Sequence, residues 1–293
     1  MRLVPSWRAP IPVICVGNMV AGGAGKTPLA IALARHLIDS GRNPHFLTRG
    51  YGGLEKGPLQ VDAQLQKATD VGDEPLLLAS IAPTWVARDR PAGARAACAA
   101  GADVIIMDDG FQNPSLAKDI GVLAIDGGYG FGNQRVMPAG PLRERLPTGL
   151  SRADAAVVIG TDATGALNGV RHYCPVHKAH LAPHHDDGIA SRRVFAFAGI
   201  GRPEKFYATL RQMGCTVSAT KDFPDHHPYT EDEIQRLCAE STALDAIPVT
   251  TEKDYVRLST EDRSRIHVLR VALDWADPQS PSQILAKITG NPY

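Results

Sequence analysis

Gly22, Gly23, Ala24, Gly25, Lys26 and Thr27 spell a glycine-rich turn that ends in Lys-Thr, and the stretch around it, VICVGNMVAGGAGKTP at Val13–Pro28, has an apolar run before it and a helix-period run after it. A triphosphate needs that order. Glycines let backbone N–H groups curl around phosphate oxygens, and a helix N-terminus adds favourable dipole. Lys26 is placed for the terminal phosphates and Thr27 for Mg²⁺. The strict G-x-x-x-x-G-K-[ST] pattern fails once, because Val20 stands where its first glycine belongs. Further on, Val104–Asp109 (VIIMDD) reads as an apolar strand that ends in two carboxylates, as a strand does when it offers Asp108 or Asp109 to Mg²⁺ or its water shell. No Asn-Lys-x-Asp element follows a strand, so ATP is favoured over GTP.

The elements that must position these groups are legible from periodicity. Ile11–Gly17, Pro44–Thr48, Thr84–Ala87, Asp103–Met107, Ile120–Ile125 and Ala155–Ile159 read as buried parallel strands, and Lys26–Ser40 as a helix that Gly41 ends. Thr161–Gly169 reads as a polar loop and Arg171–Leu181 as extended, followed by the turn-rich HHDDG at His184–Gly188. Four more strands (Val194–Ile200, Thr216–Ala219, Ile247–Thr250, His267–Val271) alternate with helices at Glu204–Met213, Glu231–Glu240 and Ser282–Ile288. The expected fold class is α/β. A P-loop NTPase-type parallel-sheet domain spans 1–160, an extended connector 161–188, and a smaller α/β domain 189–293 that closes over the site.

Composition narrows the function classes. Lys plus Arg equals Asp plus Glu at 31 each in 293 residues, so no global basic field recruits nucleic acid. Five cysteines without a C-x-x-C pair argue against a disulfide framework or zinc ribbon and for a reducing cytoplasm. His172, Cys174, His177, His180, His184 and His185 are close in sequence, but alternation along an extended segment accounts for most of that spacing. No apolar run is long enough to span a bilayer, and Met1–Pro10 lacks the apolar stretch of a signal peptide.

With these motifs placed, the chain resembles the tetraacyldisaccharide 4′-kinase family in segments from Pro12 to about Leu258. The matching stretches are VGNMVAGGAGKTP, TRGYGG (Thr48–Gly53), VGDEPLLLA (Val71–Ala79), DVIIMDDGFQNPSL (Asp103–Leu116), PAGPLRER (Pro138–Arg145), GIGRPEKFYATLRQMG (Gly199–Gly214), FPDHHPYT (Phe223–Thr230) and TTEKDYVRL (Thr250–Leu258). The family's own P-loop also lacks the first glycine. The resemblance implies transfer of the ATP γ-phosphate to the 4′-hydroxyl of a lipid A precursor, a tetraacylated glucosamine disaccharide 1-phosphate, giving lipid IV-A at the cytoplasmic face of the inner membrane.

It also implies that Asp73 accepts the acceptor hydroxyl's proton, assisted by a histidine of the DHH element, for which we take His226, while Lys26 and Mg²⁺ neutralise phosphoryl oxygens. Arg49, Tyr51, Gln112 and Glu144 would orient phosphate or sugar groups, and Arg143 and Arg145 would meet the 1-phosphate. On residue type alone Asp73 also reads as a helix-start cap before Pro75, and DHHP as the polar lead-in to a capping box at Thr230–Glu233. Family members commonly begin with an apolar membrane-docking segment, and here the P-loop strand leaves little room for one. Access for the acyl chains is therefore expected near Phe131, Leu142, Leu146 and Leu150. The other class with a GGxGKT loop, a nucleotide-driven switch or metallocentre-assembly factor, has no need of Asp73 with a DHH loop. A kinase of a water-soluble metabolite has no need of an apolar access surface.

Overall fold

A computed structural model describes residues 6–183 and 188–290. The five-residue strands β1 (Val13–Gly17) and β5 (Val104–Asp108), apolar but for the terminal Asp108, are buried along their whole length, as strands in the interior of a parallel sheet are. β2 (Pro44–Thr48), β3 (Leu59–Gln60), β4 (Thr84–Val86), β6 (Ile120–Asp126) and β7 (Ala155–Ile159) follow in the same sheet, and β8 (Val176–Pro183) and β13 (Val271–Trp275) complete it. The order is β13-β8-β7-β6-β1-β5-β2-β4-β3, parallel except where β13 and β3 pair antiparallel at the two edges. β1 lies between β5 and β6, so the glycine-rich turn emerges beside the carboxyl ends of both neighbours, where open α/β sheets bind ligands.

A second, all-parallel sheet has the order β10-β9-β11-β12, from β9 (Arg193–Ala198), β10 (Thr216–Asp222), β11 (Ile247–Thr251) and β12 (His267–Leu269). Phe195, Phe197, Ile234 and Leu237 fill one of its faces, Val194, Ala196, Phe206 and Leu210 the other.

Two expectations about chain organisation need correcting. The extended run assigned to a connector carries β8, which pairs with β7 in the large sheet because Ala179 is buried with Val157 and Ile159 in one core. The C-terminal segment does not stay with the small sheet: after β12 the chain returns as β13 and as helix α11 (Ser280–Thr289), whose Ile284 and Leu285 are buried in the same core as Leu29 and Leu33 of α1 (Lys26–Asp39). The small sheet is thus inserted between β8 and β13. The segment expected as a polar loop also contains a one-turn helix, α6 (Ala166–Val170). His184 and His185 lie outside the described residues.

Candidate active site

At the P-loop the backbone takes the conformation that glycine permits. Gly25 sits at φ +81°, and a Cβ there would come 2.5 Å from Ile159 Cδ1. Asn18, wholly buried, donates from Nδ2 to the Gly22 carbonyl at 3.2 Å. Val20, its side chain buried, forms a β-bridge with Leu142, beside Ala21 N–H to Pro141 O at 2.9 Å and Arg143 N–H to Met19 O at 2.8 Å. The missing Walker glycine is therefore a strand-like residue that sews the loop to PAGPLRER. Leu142, Leu150 and Phe131 are buried in this support and Leu146 is half-buried, whereas Val136 and Met137, which pair with Leu142, are exposed apolar residues on the same loop. Leu54, Leu65 and Tyr51 are further exposed apolar side chains.

Lys26 Nζ lies 3.5 Å from the Gly22 carbonyl and 3.8 Å from Asp109 Oδ2. Burial pulls its ammonium below the ordinary lysine range against the opposing pull of Asp109 and Asp108. Thr27 Oγ1 donates to Asp108 Oδ2 at 2.9 Å, and Asp108 Oδ1 is buried without a partner. Burial pushes the Asp108 carboxyl up to about 6, with Lys26 and the Thr27 hydroxyl restraining the rise. An orphaned carboxylate oxygen beside a hydroxyl, both hard donors, suits a Mg²⁺ that takes its remaining ligands from phosphate and water. Asp109, the third residue expected at the metal, accepts Arg143 Nη1 at 2.8 Å and Nη2 at 3.3 Å.

Asp73 opens α3 (Asp73–Ala79), and its side chain is only 5% exposed. Gly72 before it is at φ +93°, where a Cβ would strike the Tyr51 carbonyl at 2.3 Å, so glycine is what lets α3 start against the Tyr51 loop. Asp73 Oδ2 receives two bonds from the small-sheet side, His226 Nδ1 at 2.7 Å and Arg257 Nη2 at 2.6 Å. Its other oxygen accepts nothing from the described residues. His226 is held at φ +60°, with its N–H on the Gly199 carbonyl and its ring 5.7 Å from that of Tyr51. His227 turns away, to Glu233 of the capping box at 3.1 Å, and stacks on Phe223. The two histidines of DHH thus have different partners, His226 on Asp73 and His227 on the capping box.

Three residues at this junction escaped the sequence reading. Arg257, with a side chain 3% exposed, also donates to Asp254 Oδ1 and to the Gly199 carbonyl, each at 2.9 Å. Asp254 is fully buried and further bonded by Tyr229, Thr251 and Gly199 N–H. Lys253 pairs with Glu74; burial opposes its charge, yet the Glu74 carboxylate prevails and its proton affinity is raised. The signal was present as Lys253-Asp254-x-x-Arg257 on one turn of the TTEKDYVRL segment, but it says nothing about a partner some 180 positions upstream.

The remaining candidates divide. Arg49, Tyr51, Gln112 and Arg143 line a cleft of about 1680 Å³ with the P-loop, and His226 faces it from the small-sheet side. Gln112 Nε2 donates to the Asn18 carbonyl and to Glu144, and Glu144 also accepts Arg152. Glu144 thereby braces the floor of the P-loop. Arg145 is exposed at the start of α5 (Leu146–Leu150). On the far wall Asp126, at the end of β6, accepts Arg202 at 2.7 Å and Lys205 at 2.6 Å, a second ionic bridge between the two sheets.

Parallel-sheet topology, a glycine-rich turn into α1, and a buried aspartate on the neighbouring strand define a P-loop nucleotide-binding enzyme of the phosphotransferase kind. The chain belongs to the tetraacyldisaccharide-1-P 4′-kinase (LpxK) family, whose model matches residues 1–289. Proteins named tetraacyldisaccharide 4′-kinase from Rhodospirillum centenum and Paramagnetospirillum magneticum are 52% and 55% identical over 284 residues, 96% of this chain and 84% and 87% of theirs. The crystal structure of LpxK from Aquifex aeolicus in complex with ATP superposes with a TM-score of 0.75 at 28% identity, covering 97% of this chain and 90% of that one.

Proposed function

We propose that this chain transfers the γ-phosphate of ATP to the 4′-hydroxyl of a tetraacyldisaccharide 1-phosphate in lipid A biosynthesis, forming lipid IV-A. Family membership and the relatives' names support the reaction, and the ATP of the Aquifex structure supports the donor. The observation that carries the reading is the Asp73–His226 contact, which joins a carboxylate at the start of α3 to an imidazole of the small-sheet unit that lines the cleft with the P-loop.

Gly22, Gly23, Ala24 and Gly25 wrap the donor's phosphates, and Lys26 offsets charge on the transferring group. Asp108 and Thr27 would hold Mg²⁺, which when bound supplies further positive charge to the phosphates. Asp73 accepts the acceptor hydroxyl's proton on its unbonded oxygen, while His226 and Arg257 fix the other oxygen and so aim the carboxylate. Arg49, Tyr51, Gln112 and Arg143 form the acceptor-facing wall. The small sheet, residues 189–269, closes this cleft through the Asp73 and Asp126 bridges.

Among the described residues no helix is long and apolar enough to cross a membrane. The protein works peripherally at the cytoplasmic face of the inner membrane, with exposed Leu54 and Leu65 on the loops after β2 as the apolar approach for acyl chains. Incubating purified protein with γ-labelled ATP, Mg²⁺ and tetraacyldisaccharide 1-phosphate should yield a labelled bisphosphorylated lipid. A folded protein that binds Mg·ATP and labels no lipid would overturn the proposal.

A further inference from the structure

The two groups that hold Asp73 come from different parts of the small-sheet unit, yet both are anchored on one residue. The Gly199 carbonyl accepts the His226 N–H at 3.1 Å and Arg257 Nη1 at 2.9 Å, while the N–H of Gly199 donates to Asp254 Oδ1 at 2.8 Å. Gly199 follows β9, and Asp254 lies in the one-turn helix α9 (Glu252–Tyr255) that follows the neighbouring parallel strand β11. Asp254 thus ties the segment that anchors His226 to the turn that leads into Arg257. There is little slack at this tie. A Cβ on Gly199 would come 3.0 Å from the Pro224 carbonyl, 3.1 Å from Asp254 Oδ1 and 3.2 Å from Arg257 Nη1. His226 stands at φ +60°, a costly conformation for a residue with a side chain, and the Gly199 carbonyl is its backbone anchor.

The Asp254 carboxylate is fully buried and takes more donors than one arginine supplies. Oδ1 accepts from Gly199 N–H, from the Tyr229 hydroxyl at 2.8 Å and from Arg257 Nη1 at 2.9 Å, and Oδ2 accepts from the Thr251 hydroxyl at 2.5 Å. Burial and then Asp254 raise the Tyr229 phenol above its ordinary range, which keeps it a donor. That many bonds in a buried setting fix the carboxylate in one orientation. Arg257 carries the orientation onward, because its guanidinium is a flat fork with Nη1 on Asp254 and Nη2 on Asp73 Oδ2 at 2.6 Å. Asp254 itself does not line the cleft, unlike its neighbours Glu252 and Lys253. A carboxylate that only joined β9 to β11 would need the Gly199 and Thr251 bonds; the Arg257 bond reaches out of the small sheet to a group of the large-sheet unit.

We infer that Asp254 is a positioning residue for phosphoryl transfer: through Gly199 and Arg257 it sets both groups that aim the Asp73 carboxylate. The inference deepens the kinase reading and rests on it for the rate measurement. It assigns Asp254 no contact with donor or acceptor, so its loss acts on the rate of the reaction and leaves nucleotide binding in place.

The test compares Asp254→Ala, which removes the acceptor, with Gly199→Ala, which keeps every donor and acceptor and only crowds them, so that the second carries the test if the first does not fold. Each is made in wild type and in Asp73→Asn. In wild type each should lower kcat by about 10–10²-fold with ATP affinity unchanged, and in Asp73→Asn neither should lower the residual rate more than about twofold, because the group being aimed is gone. In full-length protein labelled with ¹⁵N-histidine and holding Mg²⁺ and a non-hydrolysable ATP analogue, the His226 Nδ1 signal should move in each variant toward its place in Asp73→Asn. Thr250→Val is the control: it deletes an equally buried bond between β11 and β9, to the Phe197 carbonyl at 2.8 Å, and should change neither readout. Unchanged kcat, equal rate losses in both backgrounds, an unmoved His226 signal, or a control that moves it as far would each leave Asp254 a structural residue and overturn the inference. The ring signal needs no lipid acceptor, so a wild type that phosphorylates no lipid would remove the kinase reading and leave the positioning result to stand by itself.

Discussion

Asp73 opens α3 and Asp126 ends β6, both are almost fully buried, and both accept two bonds on Oδ2 from the small-sheet side. Their partners differ. Asp126 faces a guanidinium and an ammonium, Arg202 and Lys205, whereas Asp73 faces the Arg257 guanidinium and one imidazole that lines the cleft. The first junction can only hold. The second can also orient a base and accept a proton, because one oxygen of Asp73 is unbonded and His226 is reachable from the cleft. Burial and ionic partners are thus common to both carboxylates; what sets Asp73 apart is an unbonded oxygen and an imidazole neighbour.

This contrast can be broken by substitution. Asp73→Asn should lower kcat by about 10²–10⁴-fold, the usual range for losing a positioned base, with ATP affinity retained. Wild-type turnover would make Asp73 a second Asp126. Asp108→Asn should abolish the Mg²⁺ dependence yet stabilise the fold above neutrality. The Asp108 carboxyl is raised from 3.8 to about 6 in the folded state. The folded protein therefore binds the extra proton, and stability falls as pH rises from about 4 through about 6. The asparagine variant escapes that loss, worth up to about 3 kcal/mol at pH 8 and nothing at pH 4, as thermal unfolding across pH would show.

Asp126→Asn should cost about 1–2 kcal/mol of stability, a buried-pair loss discounted because Arg202 and Lys205 are partly exposed, and leave the pH–rate profile in place. A shifted profile would mean that the holding junction also tunes the base. The smallest effect belongs to His227→Ala, which removes a partner of the α8 (Glu231–Ala243) capping box and should cost about 1 kcal/mol with turnover near wild type.

What the sequence shows and hides follows the same divide. Pro44–Thr48 and Ala155–Ile159 were readable to the residue because a strand buried on both faces is largely apolar, and the helix read as Lys26–Ser40 ends one residue earlier, at Asp39, its apolar row having one period. The phosphate loop was readable because its chemistry is local. Strand β8 was legible only as an extended run and went to the connector, since Ala179 is its one buried residue, and β13 was merged with β12 because a single residue separates two strands of different sheets. Arg257 and Lys253 were invisible as site residues for a related reason: their meaning comes from Asp73 and Glu74, which only the fold brings near. Val20 looked like a defect until the Leu142 bridge supplied its purpose.

Asp73 and His226 acting as one device across the junction is the central claim, and a double-mutant cycle on transfer rate measures it. Asp73→Asn, His226→Ala and the double variant should be compared at saturating ATP and acceptor. If the pair works as a unit, the double variant loses little more than Asp73→Asn alone. Losses that multiply, each side chain contributing its full factor regardless of the other, would contradict the account.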